Sequence, residues 1–187
     1  MHQTQFVLTE PAKGRLLISE PFLPDPNFRR TVVLLTEHNE DGSVGLVLNQ
    51  PMNLNICDIT DELPYELPVF TGGPVGKEGM LFLHNIEHLP GAEEVIKGVY
   101  WGGDFDLLKE WLQTETENIQ IRFLIGYSGW APGQLNDELT VKSWLVTAAT
   151  ASDVFSTDPD DLWKAVIGRL GSEYRHYGNA PEDINLN

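Results

Sequence analysis

Residues 14–51 read GRLLISEPFLPDPNFRRTVVLLTEHNEDGSVGLVLNQP, and they are the most informative part of the chain. It carries two apolar runs, residues 32–35 and 44–48, on either side of the turn-forming residues 39–43. The Asp41-Gly42 pair is a strong hairpin signal, because glycine accepts the positive φ that tight turns require. Both runs are apolar at consecutive positions, so they predict strands covered on two faces, over residues 31–38 and 44–49.

Outward from the hairpin, short apolar segments predict further strands and a short helix. The strands are expected at residues 15–19, 69–71, 80–84, 95–101 and 119–125, and the helix at residues 56–62. In the last strand, Ile119, Ile121, Phe123 and Ile125 alternate with Gln120, Arg122 and Leu124, which predicts one core face.

Two longer helices are supported by their caps. Asp104 or Asp106 caps one, whose apolar face holds Leu107, Leu108, Trp111 and Leu112. Asp158 caps the other, which has Pro159 at its first position and ends near Gly171. Its apolar face comprises Leu162, Trp163, Val166, Ile167 and Leu170. Strands concentrate early and helices lie between later strands, so the order of elements predicts an α+β fold.

The composition describes an acidic globular chain of 187 residues. That length suits a single domain, which we expect over residues 1–177, with a polar flexible tail at residues 178–187. The net charge of −16 disfavours nucleic acid and anionic lipid as partners, and no apolar run approaches the length of a membrane span. A single cysteine, Cys57, and an N-terminus without signal-peptide character indicate a cytoplasmic protein.

Three familiar chemistries fail on their residue patterns. Residues 126–130, Gly-Tyr-Ser-Gly-Trp, place Trp130 where a nucleophile elbow around Ser128 needs a small residue. Residues 72–78 are one residue short of a phosphate-binding loop and have Glu78 where Ser or Thr is required. His84 and His88 have metal-ligand spacing but no convincing third ligand. The sequence therefore predicts no catalytic residue, no metal and no cofactor.

A polar set surrounds the hairpin: Arg29, Arg30, Glu37, His38 and Asn49. On an extended strand Glu37 and His38 face opposite sides, so they line one pocket only if a bulge intervenes. Structural roles, such as an arginine pairing with Glu37 or His38 bonding to the turn, are one interpretation. The other is a binding site in which Arg30 anchors an anion through its planar fork.

Four collinear motifs resemble the YqgE/AlgH family of bacterial proteins. The first is Asp25-Pro26-x-Phe28-Arg29-Arg30 with Glu37-His38-x-x-x-Gly42, and the second is Gly72-Gly73-Pro74-Val75. The third is Gly126-Tyr127 with Trp130-x-x-Gly133-Gln134-Leu135, and the fourth is Trp144. The resemblance spans roughly residues 14–170. It implies a compact α+β domain whose mixed, bifurcated sheet forms a pseudo-barrel with flanking helices, and it implies little about activity.

The resemblance leaves the biochemical function unknown and three classes open. We favour a non-catalytic binding or regulatory domain for a protein or small ligand. The alternatives are an enzyme of unrecognised type, with a polar site near the hairpin and the Trp130 loop, and a transcriptional regulator, a description applied to one branch of the family. The candidate binding residues are Arg29, Arg30, His38, Asn49, Trp130 and Gln134.

Overall fold

The computed structural model of the chain describes residues 8–114 and 118–180. The strands are β1 (Arg15–Ser19), β2 (Val32–Asn39), β3 (Gly42–Val47), β4 (Pro51–Asn55), β5 (Pro68–Thr71), β6 (Val75–His84), β7 (Ala92–Ile96), β8 (Val99–Gly102), β9 (Ile121–Trp130) and β10 (Trp144–Ala148). The helices are α1 (Phe105–Thr114), α2 (Gln134–Thr140), α3 (Ala151–Phe155), α4 (Pro159–Arg169) and α5 (Arg175–Gly178). Residues 181–187 of the predicted tail lie outside the described residues.

The predicted hairpin is confirmed as the pair β2 and β3. Its turn is tighter than the predicted five residues, because Asn39 pairs directly with Gly42 and leaves only Glu40 and Asp41 between the strands. The Asn39 side chain accepts a hydrogen bond from the Asp41 amide at 2.8 Å, which stabilises the reversal.

Both faces of the hairpin are buried, as its consecutive apolar residues predict. One face packs under α4, whose buried residues include Trp163, with its indole N–H donating to the Ser19 carbonyl at 3.0 Å. The opposite face packs under α2, with Trp130 and Trp144 among its core residues. A further core lies under α1 around Phe123. Of the two residues predicted as alternatives for the cap of α1, Asp104 forms it, and the cap predicted at Asp158 is also formed.

The sheet divides at β9, which has different partners along its length. One edge of β9 pairs with β6. The other edge pairs first with β5, in parallel at residues 123–125, and then with β3, antiparallel at residues 128–130. The strands β10, β1, β2 and β3 continue from this division, while β4 pairs with β5. This branching curls the sheet and confirms the mixed, bifurcated α+β architecture.

Glycines permit two backbones to meet at the division. A Cβ atom on Gly126, whose φ is 74°, would lie 2.5 Å from the carbonyl oxygen of Gly73. A Cβ on Gly72 would lie 2.2 Å from the carbonyl oxygen of Gly126. Contacts under 3 Å are too close for carbon and oxygen, so this crossing requires glycine. Ser128 is buried beside it and donates to the Gly72 carbonyl at 3.3 Å.

Several predicted elements differ in extent. Only a 3-10 turn, Ile56–Asp58, forms within the predicted helix at residues 56–62. The single strand expected at residues 95–101 is two strands, β7 and β8, because Gly98 adopts a φ of 78° and reverses the chain. Strands β4 and β10 were not predicted. Among the described residues, no helix has the length and apolar character needed to cross a bilayer.

Candidate functional site

The six candidate residues lie in two places, at opposite ends of β2. Arg29, Arg30 and Asn49 lie near its start, whereas His38, Trp130 and Gln134 lie near its end. Eight residues of extended strand separate the two groups by roughly 25 Å. The structure therefore does not bring all six side chains to one pocket.

The first group holds the chain turn before β2. Arg30 adopts a φ of 52°, and the Asn49 amide donates to the Arg30 carbonyl at 2.9 Å. The Asn49 oxygen accepts from the Val32 amide at 2.8 Å, so this side chain bridges the strand ends. The Arg30 guanidinium lies 5.0 Å from the Trp163 ring centroid and donates to the Ala180 carbonyl at 2.6 Å. Arg29 is exposed.

Of the second group, His38 lines a cleft of about 330 Å³ beside the hairpin turn, whereas Trp130 and Gln134 are not among the residues of its wall. His38 Nδ1 lies 2.8 Å from the hydroxyl of Ser43, its cross-strand partner, and both residues line this cleft. A bulge occurs between Leu35 and Glu37. The bulge lies before Glu37 and not between Glu37 and His38, so it does not bring these two side chains to one pocket. His38 lines this cleft and Glu37 lines a different one.

Trp130 and Gln134 converge on one carboxylate. The indole N–H of Trp130 donates to Glu138 at 2.9 Å, and the Gln134 amide donates to the other oxygen of Glu138 at 2.9 Å. The Gln134 side-chain oxygen accepts from the Ala131 amide at 3.0 Å. These bonds fasten α2 against the end of β9, and Trp130 is only 5% exposed.

The histidine pair with metal-ligand spacing does not form a joint site. His84 is fully buried; its Nε2–H donates to the Gly102 carbonyl at 2.9 Å, and its Nδ1 accepts from the Ile86 amide at 3.1 Å. Both ring nitrogens are thereby occupied, and His88 is exposed in the following loop. Over residues 8–114 and 118–180, no group of three or more His, Cys, Asp or Glu side chains could hold a metal ion.

A third place, which the sequence reasoning did not identify, is a cleft of about 480 Å³ beside the start of β9. We call it the Arg122 cleft. Its walls come from three separate segments: the chain entering β5, the start of β9, and the connection between α3 and α4. The apolar lining residues are Leu67, Pro68, Phe70, Ile119, Ile121, Phe155 and Pro159, and the polar ones are Gln120, Arg122, Ser156, Thr157 and Asp158.

Arg122 is the most unusual residue of this cleft. It is 6% exposed, its guanidinium donates to the Leu48 carbonyl, and it lies 4.2 Å from the Phe70 ring centroid. Among the described residues, no carboxylate lies within ion-pair distance of it, and the Leu48 carbonyl is its sole hydrogen-bond partner. Burial lowers the pKa of Arg122 to about 10, so the side chain is still charged at neutral pH. A buried charge without a counter-ion is costly, and an anionic ligand would offset that cost.

The wall of the cleft that the connection between α3 and α4 forms is held by polar contacts. The Asp153 carboxylate, 3% exposed, accepts from the backbone and hydroxyl of Thr150 and from Arg169 at 2.7 Å. The amide and hydroxyl of Thr157 both donate to the Ser152 carbonyl, at 2.9 and 3.0 Å. These bonds hold the connection between α3 and α4 in one conformation.

Arg122 was overlooked because the alternation in β9 was interpreted as one core face and one polar face. Both faces are buried: Phe123 belongs to one core and Leu124, on the Arg122 side, to another. Leu124 could have indicated this, because residues two positions apart on a strand lie on the same face. An apolar residue two positions after Arg122 suggests that the face of Arg122 is also buried. The approach of the connection between α3 and α4 depends on tertiary packing and has no local signature.

The split sheet and the glycine crossing define an α+β half-barrel domain. The chain belongs to the family described as AlgH-like, which matches residues 16–175. A UPF0301 protein of Bacteroides fragilis is 39% identical over 180 residues, covering 95% of this chain and 92% of its own. A UPF0301 protein of Bacteroides thetaiotaomicron is 40% identical with the same coverage. The biochemical function of these relatives is uncharacterised.

Two solved structures share the fold. The crystal structure of protein DIP2367 from Corynebacterium diphtheriae has a TM-score of 0.77 at 22% identity, covering 91% of this chain and 93% of its own. The solution structure of AlgH from Pseudomonas aeruginosa has a TM-score of 0.69 at 33% identity, covering 87% of this chain and 92% of its own. The half-barrel is thus common to bacterial proteins of quite different sequence.

Proposed function

We propose that this protein is a non-catalytic binding domain that recognises the acidic group of a small ligand in the Arg122 cleft. The observation that carries the proposal is the charge of Arg122, which is more than nine-tenths buried with no carboxylate partner among the described residues. Natural proteins seldom bury an arginine without pairing it, and perturbed charges in clefts concentrate at functional sites.

The surroundings of Arg122 support binding over catalysis. Asp158 is the acidic side chain among the residues that line the cleft, and its oxygen already accepts from the Asp160 amide at 3.0 Å as the cap of α4. Gln120, Ser156 and Thr157 are neutral hydrogen-bonding groups. A general acid or base needs a titrating group poised near the working pH, and this lining supplies recognition groups instead.

The test is a nuclear magnetic resonance titration with sodium acetate and with sodium phosphate, at ionic strength held constant by sodium chloride. Because both anions pair with guanidinium, we expect the Arg122 Nε–H signal and the Phe70 and Ser156 amide signals to shift with either one. Arg122→Met should abolish the shifts. Lys97→Gln removes an equivalent charge from the exposed turn between β7 and β8, and should leave them unchanged. Absence of shifts with both anions would overturn the proposed function.

An enzyme is the second candidate function, and the contact between His38 and Ser43 is what favours it. A serine hydroxyl 2.8 Å from a histidine nitrogen, beside a cleft, is the start of a nucleophile–base pair. Among the described residues, however, no third side chain bonds to the His38 ring to orient it. A fluorophosphonate probe should therefore leave Ser43 unlabelled. Labelling that is lost in Ser43→Ala would favour the enzyme.

The proposed ligand is a small molecule of the cytoplasm. The single cysteine, Cys57, is a free thiol, which suits a reducing compartment. The net charge of −16 repels nucleic acid, so the anion that Arg122 attracts must be small enough to lie within the cleft.

A further inference from the structure

We infer that the Arg122 cleft selects monocarboxylic acids with a short apolar body, in preference to phosphates and dicarboxylates. This inference rests on the proposed function and narrows its ligand class. Among the residues that line the cleft, Arg122 provides one positive charge and Ser156 provides a neutral hydroxyl. Within the described residues the Ser156 hydroxyl makes no hydrogen bond, so it is available to the second oxygen of a bound carboxylate.

The charge balance disfavours ligands with two or more negative charges. Asp158 lines the same cleft, exposed at the start of α4, and Asp160 and Asp161 follow in the first turn of that helix. These carboxylates oppose the positive end of the helix dipole, which would otherwise attract phosphate. One guanidinium, in a cleft that the Asp158 carboxylate also lines and on a protein of charge −16, can neutralise one ligand charge but not two.

The remaining lining accounts for the apolar body. Phe70, Ile121 and Phe155 lie in the same cleft, and its volume of about 480 Å³ falls within the range that encloses small organic molecules. Full burial of a methylene group strengthens binding by up to about fourfold. A carboxylate that carries several methylenes therefore gains affinity from this lining, whereas inorganic phosphate gains none.

The test is calorimetric titration of the whole chain with sodium butyrate, hexanoate and octanoate, and separately with sodium adipate and phosphate. We expect affinity to rise from butyrate to hexanoate by up to about fourfold per methylene. Adipate has the hexanoate chain with a second carboxylate, and should bind at least about tenfold more weakly because that charge would be buried among apolar groups. Hexanamide has the same chain but no charge, so it should bind more weakly than hexanoate because it lacks the ion pair with Arg122.

Asp158→Asn provides a second, independent test, which measures how strongly the Asp158 charge repels each ligand. Asparagine also caps helices, so α4 should stay intact. Coulomb energy scales with ligand charge, so a twofold gain for hexanoate predicts about a fourfold gain for divalent phosphate. Equal gains would overturn the inference. The inference would also be overturned if phosphate bound as tightly as hexanoate, or if the affinity did not depend on the length of the carboxylic acid. A peptide with a C-terminal leucine carries a carboxylate next to an apolar side chain, and tighter binding of this peptide than of hexanoate would overturn the inference as well. In each case loss of binding in Arg122→Met would leave the proposed function standing.

Discussion

The indole N–H of Trp130, at the end of β9, donates to the Glu138 carboxylate of α2 at 2.9 Å. The same carboxylate oxygen accepts the indole N–H of Trp144, at the start of β10, at 2.7 Å. The two rings meet edge to face, with centroids 5.9 Å apart. One carboxylate therefore joins two strands and a helix around a buried tryptophan pair.

Removing this carboxylate should destabilise the fold. In Glu138→Ala, two indole N–H groups on residues that are 5% and 3% exposed lose their acceptor. We expect the free energy of unfolding to fall by about 2–6 kcal/mol, since each of the two unsatisfied buried donors costs about 1–3 kcal/mol. The measurement is a urea melt followed by tryptophan fluorescence. Asn136→Ala, on the exposed face of the same helix, should change the free energy of unfolding by less than about 0.5 kcal/mol.

The glycine crossing predicts that two glycine-to-alanine substitutions change the free energy of unfolding in opposite directions. Gly126→Ala forces a side chain into positive φ and against the Gly73 carbonyl, so the free energy of unfolding should fall by more than about 2 kcal/mol. Gly168→Ala, in α4, meets nothing within 4 Å and should raise it by about 0.5–1 kcal/mol. Equal effects of the two substitutions in thermal melts would contradict the crossing.

His84 should make stability depend on pH. Burial lowers its pKa below the ordinary value of 6.5, against the raising effect of its bond to the Gly102 carbonyl. The unfolded chain therefore takes up a proton at a higher pH than the folded chain. Stability is lost as the pH falls below about 6.5, and this loss ends once the pH reaches the folded-state pKa of His84.

Urea melts between pH 7.5 and 5 measure this loss, whose slope for one proton is at most about 1.4 kcal/mol per pH unit. His84→Gln should have a lower stability at pH 7.5, because two backbone bonds are disturbed, but a flatter pH dependence. His88→Gln alters an exposed histidine and should keep the slope of the parent protein. A slope unchanged by His84→Gln would mean that other groups cause it.

Short-range sequence patterns predicted the secondary structure better than they predicted the candidate site. The β2–β3 hairpin and the caps at Asp104 and Asp158 follow from turn preferences, apolar spacing and capping, which act over a few residues. The glycines of residues 72–73 do not fit a phosphate-binding loop, and they allow instead a crossing with Gly126, more than fifty residues away. The Arg122 cleft likewise combines three distant segments, and no local pattern encodes their meeting.

The Arg122→Met substitution tests whether Arg122 is buried for ligand recognition or for stability. Lowering its pKa to about 10 corresponds to a desolvation cost on the order of 3 kcal/mol, which methionine removes. Methionine also forfeits the bond to the Leu48 carbonyl, worth about 1–3 kcal/mol, and the stacking on Phe70, worth about 2 kcal/mol or less. These contributions oppose one another, so we expect the free energy of unfolding to change by no more than about 2 kcal/mol in either direction.

Arg169→Met is the matched control, because it makes the same substitution at an arginine that does have a carboxylate partner. Arg169 donates to the buried Asp153 carboxylate at 2.7 Å. Its replacement leaves the Asp153 carboxylate, 3% exposed, without its cation, and should cost about 3–5 kcal/mol in urea melts. Similar losses in both variants would show that Arg122 is structural. A near-neutral Arg122→Met that binds neither acetate nor phosphate would show that the charge is maintained for a ligand, since stability alone would not retain it.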